Sequence, residues 1–425
     1  MTCNAPGRAA AVRAATSATY IAFTGSGFAF ASWAARIPQL RDHLQLQPST
    51  LGLVLLAVAA GAILALPLSG RVIARIGTRR TVSAMAVLLS VGLLTVAAGY
   101  PLGVVPVVVG LFLVGLGNGA WDVAMNVQGA VVERQLGRSI MSRFHAGFSL
   151  GTVAGALVGA AMVALDVSVT VHLAIVAVFT ALVVPRATQR FLPDADSGTP
   201  ADTLAVPPGG PAADAGQRRS ALAAWREPRT LLIGVFVLAF AFAEGVGNDW
   251  LSVALIDSYH VSAAVGTLAF AAFLAAMTTG RWFGPALLDR YGRVPVVRGL
   301  ALVGIAGLLL LVFAPTTSLA FTGALLWGLG VSLGFPVGMS AGADDPELAP
   351  ERVSVIASIG YCAFLAGPPL IGFLGDHLSV LRALTAVAVL LALAVGISNC
   401  VSPLTPRQGL GTDADERRTT AQHPA

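Results

Sequence analysis

The sequence predicts an all-α membrane protein of twelve transmembrane helices in two pseudo-symmetric six-helix bundles. Three observations predict this: the excess of apolar over charged residues, the regular return of long apolar stretches, and a repeat between the two halves of the chain. Of 425 residues, 56% are hydrophobic and 11% charged, with a mean hydropathy of +0.79. A spanning helix takes about 20 mostly apolar residues, so the apolar fraction supplies roughly twelve. The balance excludes a cytosolic enzyme. Cys3, Cys362 and Cys400 are too scattered for a disulfide-stapled domain. No Cys/His cluster points to a metal, and no cofactor is expected.

In chain order, the apolar stretches of spanning length are residues 16–37, 49–70, 81–99, 102–126, 144–165 and 168–185, then 231–256, 262–288, 294–314, 317–341, 353–375 and 379–401. Residues 16–32 are read as part of the first span and not as a cleaved leader, because their loss would leave an odd number of spans. The stretches divide the chain into a first bundle, 16–185, and a second, 230–401. Between them, residues 186–229 hold six prolines and four glycines in a polar run. Such a composition cannot bury enough apolar surface to order itself, so a disordered cytoplasmic linker is expected. Residues 1–15 are expected to be a cytoplasmic N-terminus and 402–425 a disordered cytoplasmic tail.

All 26 basic residues are arginine, and the formal net charge is +5. In a soluble protein that excess would suggest nucleic acid; here position gives it a different meaning. With the N-terminus inside, all but Arg36, Arg41 and Arg382 fall on the cytoplasmic side, Arg281, Arg290 and Arg293 being counted there. Arginine near helix ends resists translocation. The asymmetry predicts a multi-pass protein of the cytoplasmic (inner) membrane with both termini inside and no nucleic-acid partner.

The loop after the second span reads GRVIARIGTRR (Gly70 to Arg80), and the loop after the eighth reads PALLDRYGRVP (Pro285 to Pro295). Around them Gly52 matches Gly266, Gly115 matches Gly328, and Gly147-Phe148 matches Gly360-Tyr361, at nearly constant spacing. Parallel six-helix repeats of this kind resemble the major facilitator superfamily (MFS) of transporters. The superfamily's signature loop, Gly-x-Leu-x-Asp-Arg-x-Gly-Arg-[Arg/Lys], is met in the first half by Gly70, Arg75, Gly77 and Arg79, with Ala74 at the Asp position and Thr78 where Arg is usual. In the second half Asp289, Arg290, Gly292 and Arg293 fit, with Pro285 at the first Gly position. The resemblance implies that both loops are cytoplasmic latches, in which Asp289 caps a helix or pairs with an arginine; a basic anchoring loop accounts for the individual arginines equally well. Residues 115–151 resemble the fucose-permease-like branch and its uncharacterised relatives. That implies a monomeric secondary transporter in the bilayer, moving a sugar or another small polar solute together with protons.

Ionisable groups within a bilayer are costly, so those present are functional candidates. On the fourth span Asn118, Asp122 and Asn126 recur every four residues and share one face. Counting from Leu102 puts Asp122 about 30 Å down, towards the cytoplasmic mouth, where pairing with Arg143 is the plainer alternative. On the seventh span Glu244 and Asn248 are spaced by one turn, with Glu244 about 21 Å in. A carboxyl group in low dielectric can bind and release a proton as its surroundings open and close; a helix–helix hydrogen bond and an interfacial cap are the structural alternatives. Asp249 and Trp250 are expected at the outer interface. On the fifth span His145, Ser149 and Thr152 follow one face, and a histidine can relay protons near neutral pH, although a satisfied structural role is common for one at a helix start.

Gly147, Gly151, Gly155 and Gly159 form a small-xxx-small stripe that close helix packing explains. Trp33, Trp327 and Tyr361 are candidate cavity walls, since aromatic rings stack on sugar faces, though packing serves as well. Arg36, near the outer end, is read as an external gate or a snorkelling side chain. Proton-coupling candidates are thus Glu244, Asp122 and His145; cavity candidates are Asn118, Asn126, Asn248, Trp33, Ser149, Trp327 and Tyr361.

Drug–proton antiporters of this superfamily carry an Arg on the fourth span, where Gly115 stands here, and a Gly-Pro motif on the fifth that is missing here. Export of hydrophobic or amphipathic compounds is therefore the alternative function rather than the first. No convergent nucleophile, base or metal set suggests a membrane-embedded enzyme, and no signalling module suggests a receptor. With no Walker loop, ATP is not the expected energy source.

Overall fold

The computed structural model describes residues 5–138, 140–193, 223–345 and 348–404, and its regular structure is helical throughout, with no strand among these residues. The first bundle contains α1 (Ala5–Ala34), a short α2 (Ile37–His43), α3 (Pro48–Gly99), α4 (Val104–Leu136), α5 (Met141–Ala164) and α6 (Val169–Thr188). The second contains α7 (Pro228–Tyr259), α8 (Ala263–Tyr291), α9 (Arg293–Phe313), α10 (Thr317–Val331), α11 (Gly334–Gly342), α12 (Ala349–Leu378), α13 (Val380–Ala383) and α14 (Thr385–Ile397).

Among the described residues twelve spans result. α3 is two spans run together through a sharp turn at Gly77, whose φ of 80° and ψ of 164° are not helical. α10 and α11 make one span broken at Ser332 and Leu333, and α13 with α14 and the turn after it makes the last. Ten stretches are long and apolar enough to cross a membrane with α3 counted once. α1 is more polar, and completes the first bundle by packing on α5, α6 and α4. A lipid-facing belt runs around the outside, through Leu53, Leu64, Val87, Val109 and Leu150 in the first bundle and Leu268, Leu302, Phe313 and Val389 in the second.

Element boundaries differ from expectation by a few residues at many ends and most at the start of α1 and the end of α4. α1 starts at Ala5, inside the segment expected to be a non-membrane N-terminus, and α6 runs on to Thr188. α4 continues to Leu136, ten residues past its expected end; Val127, Val131 and Val132 with Gln128 and Glu133 are good enough helix material, and Gly137 in the left-handed conformation stops it. The central part of the proposed linker, 194–222, and the tail from 405 lie outside the described residues.

Within the first bundle α3 packs on α4 and α6; within the second α7 packs on α12, α8 and α14, and α9 on α10 and α14. The bundles meet through α3 against α12 and α5 against α8. The sequence repeat is a repeat of backbone geometry. Gly292 holds φ 81° and ψ 167°, the values of Gly77 within a few degrees. A Cβ at Gly115 would strike the carbonyl oxygen of Val58, and one at Gly328 would strike that of Phe273. These glycines let helix backbones touch, which is how membrane helices gain packing energy without help from the hydrophobic effect. In the stripe on α5, Gly151 and Gly155 abut the backbone of Thr24 and Phe28 on α1, while Gly147 and Gly159 meet the side chains of Thr24 and of Ala35 just beyond it.

Candidate functional site

The longer α4 changes the depth of its polar stripe: Asp122 stands near the middle of the helix, not at its mouth. Asn126 donates from Nδ2 to the Asp122 carbonyl oxygen (2.9 Å) and to its carboxylate (3.3 Å). Arg143, the expected partner, is exposed on the first turn of α5. Asn118, one turn earlier, accepts from the hydroxyl of Ser26 on α1 (3.0 Å). Across the junction between bundles, Tyr361 on α12 is an electrostatic neighbour of Asp122. The structure thereby brings Ser26, Asn118, Asp122, Asn126 and Tyr361 into one polar neighbourhood.

The second group centres on Glu244, at the midpoint of α7. Its carboxylate accepts from Arg281 Nη2 on α8 at 2.7 Å, with the side chains 19% and 27% exposed. Arg281 also donates from Nε to the carbonyl oxygen of Ser332 (3.3 Å), at the break between α10 and α11. A broken helix leaves carbonyls without intrahelical partners, and the guanidinium takes one of them. Counting Arg281 among the cytoplasmic topology markers was therefore wrong: it lies within α8 as an intramembrane cation. The signal was present, because position 281 falls inside the apolar stretch 262–288, where an arginine is unusual.

From the first bundle, His145 on α5 is exposed, sits edge-on to Phe23 (5.2 Å between ring centroids) and is an electrostatic neighbour of Arg281. Asn248, one turn from Glu244, has a buried Oδ1 without a hydrogen-bond partner. Ser149 is buried. Trp33 and Trp327 are fully buried, Trp327 packed edge-on against Phe273 (5.2 Å). Trp250 is likewise in the core and not at an interface, with its indole N–H unpartnered.

Arg36 neither snorkels nor gates by exposure. It is 2% exposed, donating from Nε to His172 Nδ1 (2.8 Å) and from Nη2 to the Val167 carbonyl (3.0 Å). His172 stands alone in its span, with no spacing pattern to mark it.

The two faces of the molecule differ. On the arginine-poor face the bundles are tied together: Arg41 Nη1 donates to Asp257 (2.5 Å) and the Ser49 amide to Asp376 (3.2 Å). There Gly52 abuts the Pro368 backbone and Gly372 that of Pro48. Burial pulls the Arg41 guanidinium down, but hydrogen bonds to Asp257 and Asp42 outweigh it and hold the group above its ordinary value.

On the arginine-rich face, Gly70, Arg75 and Arg79 of the first latch loop flank the turn at Gly77, with both arginines exposed. In the second loop Arg290 lies over the Tyr291 ring (5.1 Å) and Asp289 is exposed. The carboxylate that engages the loop is Asp344, which accepts from Arg293 (2.6 Å) and Arg229 (3.0 Å); the expected Asp289 pairing is replaced by this one.

Twelve spans among the described residues, set in two bundles with repeated backbone geometry and with polar groups at their junction, match the architecture of a two-bundle membrane transporter. The Major Facilitator Superfamily model matches residues 19–361 and 253–419. The chain belongs to the Major Facilitator Superfamily. An uncharacterised MFS-type transporter of Yersinia pestis is 31% identical over 377 residues, covering 88% of this chain and 92% of that protein. Among solved structures, the nucleoside transporter NupG superposes with a TM-score of 0.68 at 14% identity, covering 90% of this chain and 98% of its own. A single-site variant of the Escherichia coli fucose:proton symporter FucP superposes with a TM-score of 0.58 at 16% identity, covering 91% and 98%. As an MFS member the chain is a multi-pass membrane transporter.

Proposed function

We propose that this MFS transporter moves a small, hydroxyl-bearing polar solute, a sugar or a sugar-like compound, across the cytoplasmic membrane together with protons. The observation that carries the reading is the Glu244–Arg281 pair at the midpoint of α7, with Arg281 an electrostatic neighbour of His145 in the other bundle. A carboxylate held by an intramembrane arginine can accept a proton when the arginine is drawn to another partner, so protonation and bundle movement become linked. Asn118, Asn126, Asn248 and Tyr361 offer the mix of donors and acceptors that a polyol surface needs. Such groups fit the nucleoside and fucose carried by the two structural neighbours.

In this reading the arginine-rich face is cytoplasmic, both termini lie there, and the protein works as a monomer of two bundles, 16–185 and 230–401. The ties at Arg41–Asp257 and Ser49–Asp376 close the outer side, so the conformation is closed to the outside and awaits exchange with the cytoplasm. The test is uptake of labelled monosaccharides and nucleosides into proteoliposomes with and without an imposed proton gradient. Gradient-stimulated uptake that Glu244→Gln uncouples supports the reading; transport unaffected by the gradient and by the substitution contradicts it.

A further inference from the structure

On the arginine-rich face, the start of the third span and the end of α6 flank a shallow, open groove of about 500 Å³ lined by Arg79, Arg80, Ser83, Val87, Pro185 and Gln189. Its floor is fixed, because the hydroxyls of Ser83 and Thr188 hydrogen-bond at 2.7 Å and pin α3 to α6. Its upper rim is cationic and polar: Arg79 and Arg80 are exposed, and Arg190 follows Gln189. Its lower wall is apolar, with Val87 43% exposed on the surface that faces lipid.

Among the described residues of the first bundle, carboxylates are scarce, namely Asp42, Asp122, Glu133 and Asp166. Asp42 is bonded to Arg41 on the opposite face, Asp122 is inside the membrane, and Glu133 accepts from the amides of Ile140 and Met141 at 2.7 Å each. Asp166, in the turn after α5, lies on the opposite face as well. The groove's positive charge is therefore left for an anion from outside the bundle.

We propose that this groove is a binding site for the headgroup of an anionic phospholipid. The phosphate lies between Arg79 and Arg80, headgroup hydroxyls reach Ser83 and Gln189, and an acyl chain runs down past Val87 into the bilayer. A basic pocket between spans at the depth of the headgroups has the charge, position and amphipathic lining for such a ligand. Arg79 also belongs to the first latch loop, but the test reads lipid binding and not transport, so the site's fate and that of the transport proposal are separable.

The test is native mass spectrometry of the full-length, detergent-purified protein titrated with cardiolipin, phosphatidylglycerol or phosphatidylcholine, with inorganic phosphate as a further arm. Anionic lipids are expected to bind and phosphatidylcholine and inorganic phosphate not. Arg79→Gln with Arg80→Gln is expected to weaken anionic-lipid binding about 30-fold, roughly fivefold per arginine near a charged surface. The matched pair Arg138→Gln with Arg143→Gln, elsewhere on the same face, should leave it nearly unchanged, with thermal unfolding confirming that both variants fold. Equal loss in both pairs would reduce the site to diffuse surface charge and overturn the proposal. So would binding of inorganic phosphate as tight as that of lipid. Absence of lipid from the wild type, with binding appearing once Asp194, Asp196, Asp202 and Asp214 are changed to Asn, would assign the groove to the chain's own acidic segment instead.

Discussion

The Arg281 guanidinium donates to the Glu244 carboxylate across 2.7 Å, at the midpoint of α7, and its Nε holds the carbonyl freed by the break between α10 and α11. One cation thus ties three spans of the second bundle. Removing one partner leaves the other charge poorly satisfied in low dielectric, which costs about 1–3 kcal/mol or more. Arg281→Gln and Glu244→Gln should each lower the thermal midpoint in detergent, and the double variant should lose less than the two losses summed. Additive losses would mean the pair is not coupled.

The ties on the arginine-poor face predict a conformational bias. Neutralising Arg41 or Asp257 removes a partly exposed pair worth about 1 kcal/mol or less, so Arg41→Gln should raise the outward-open population modestly, up to about fivefold. Labelling of a cysteine introduced at Asn118, in a background lacking Cys3, Cys362 and Cys400, reports this. Joining positions 49 and 376 as an introduced disulfide should lock that face and stop transport until reduced.

Gly115 and Gly328 make matching predictions in the two bundles. A methyl group at either meets a backbone oxygen of the neighbouring helix, and helix backbones cannot yield as a side-chain tip would. Gly115→Ala and Gly328→Ala should each destabilise by about 1–3 kcal/mol, seen as a lower unfolding midpoint. Gly299, where a Cβ meets nothing, should accept Ala without loss.

At the start of α7, outside the span, Glu227 accepts from Arg352 Nη2 (2.6 Å) and Nε (2.7 Å) and from the Thr230 hydroxyl (2.6 Å). Burial pushes its carboxyl up, but the bonds from Arg352 and Thr230 outweigh that and hold it below its ordinary value of 4.5. A carboxyl lowered on folding contributes stability that is full above the unfolded value and is lost as pH falls through the folded one. Thermal midpoints measured from pH 7 downward should therefore fall below about pH 4.5, and Glu227→Gln should lower the plateau at neutral pH while flattening that acid decline.

The number of spans, the repeat and the turn glycines were legible because each leaves a local signature: apolar length, spacing, and a positive φ that glycine adopts at no cost. Asp122, Asn118 and Asn126 were legible as a stripe on one helix. Their depth was not, because nothing in the sequence between Asn126 and Gly137 separates a membrane-buried turn from one standing in the headgroups. Arg281 was misplaced because topology counting treats every arginine as a loop residue. Its partners come from α7 and from the helix break at Ser332, both distant in sequence. The same holds for Arg36 with His172 and for Asp344 with Arg293, where tertiary packing, not spacing, selects the partner.

The central claim is that a polar solute binds between the bundles at a site linked to Glu244. Its most direct test is thermal stabilisation of the purified protein by monosaccharides, nucleosides and amphipathic drugs, at about pH 5.5 and pH 7.5. A ligand at 100 times its Kd adds about 2.7 kcal/mol, enough to see. The account predicts stabilisation by a sugar or nucleoside that differs between the two pH values in the wild type and loses that difference in Glu244→Gln. Stabilisation by amphipathic compounds alone, or a pH difference that survives the substitution, would contradict it.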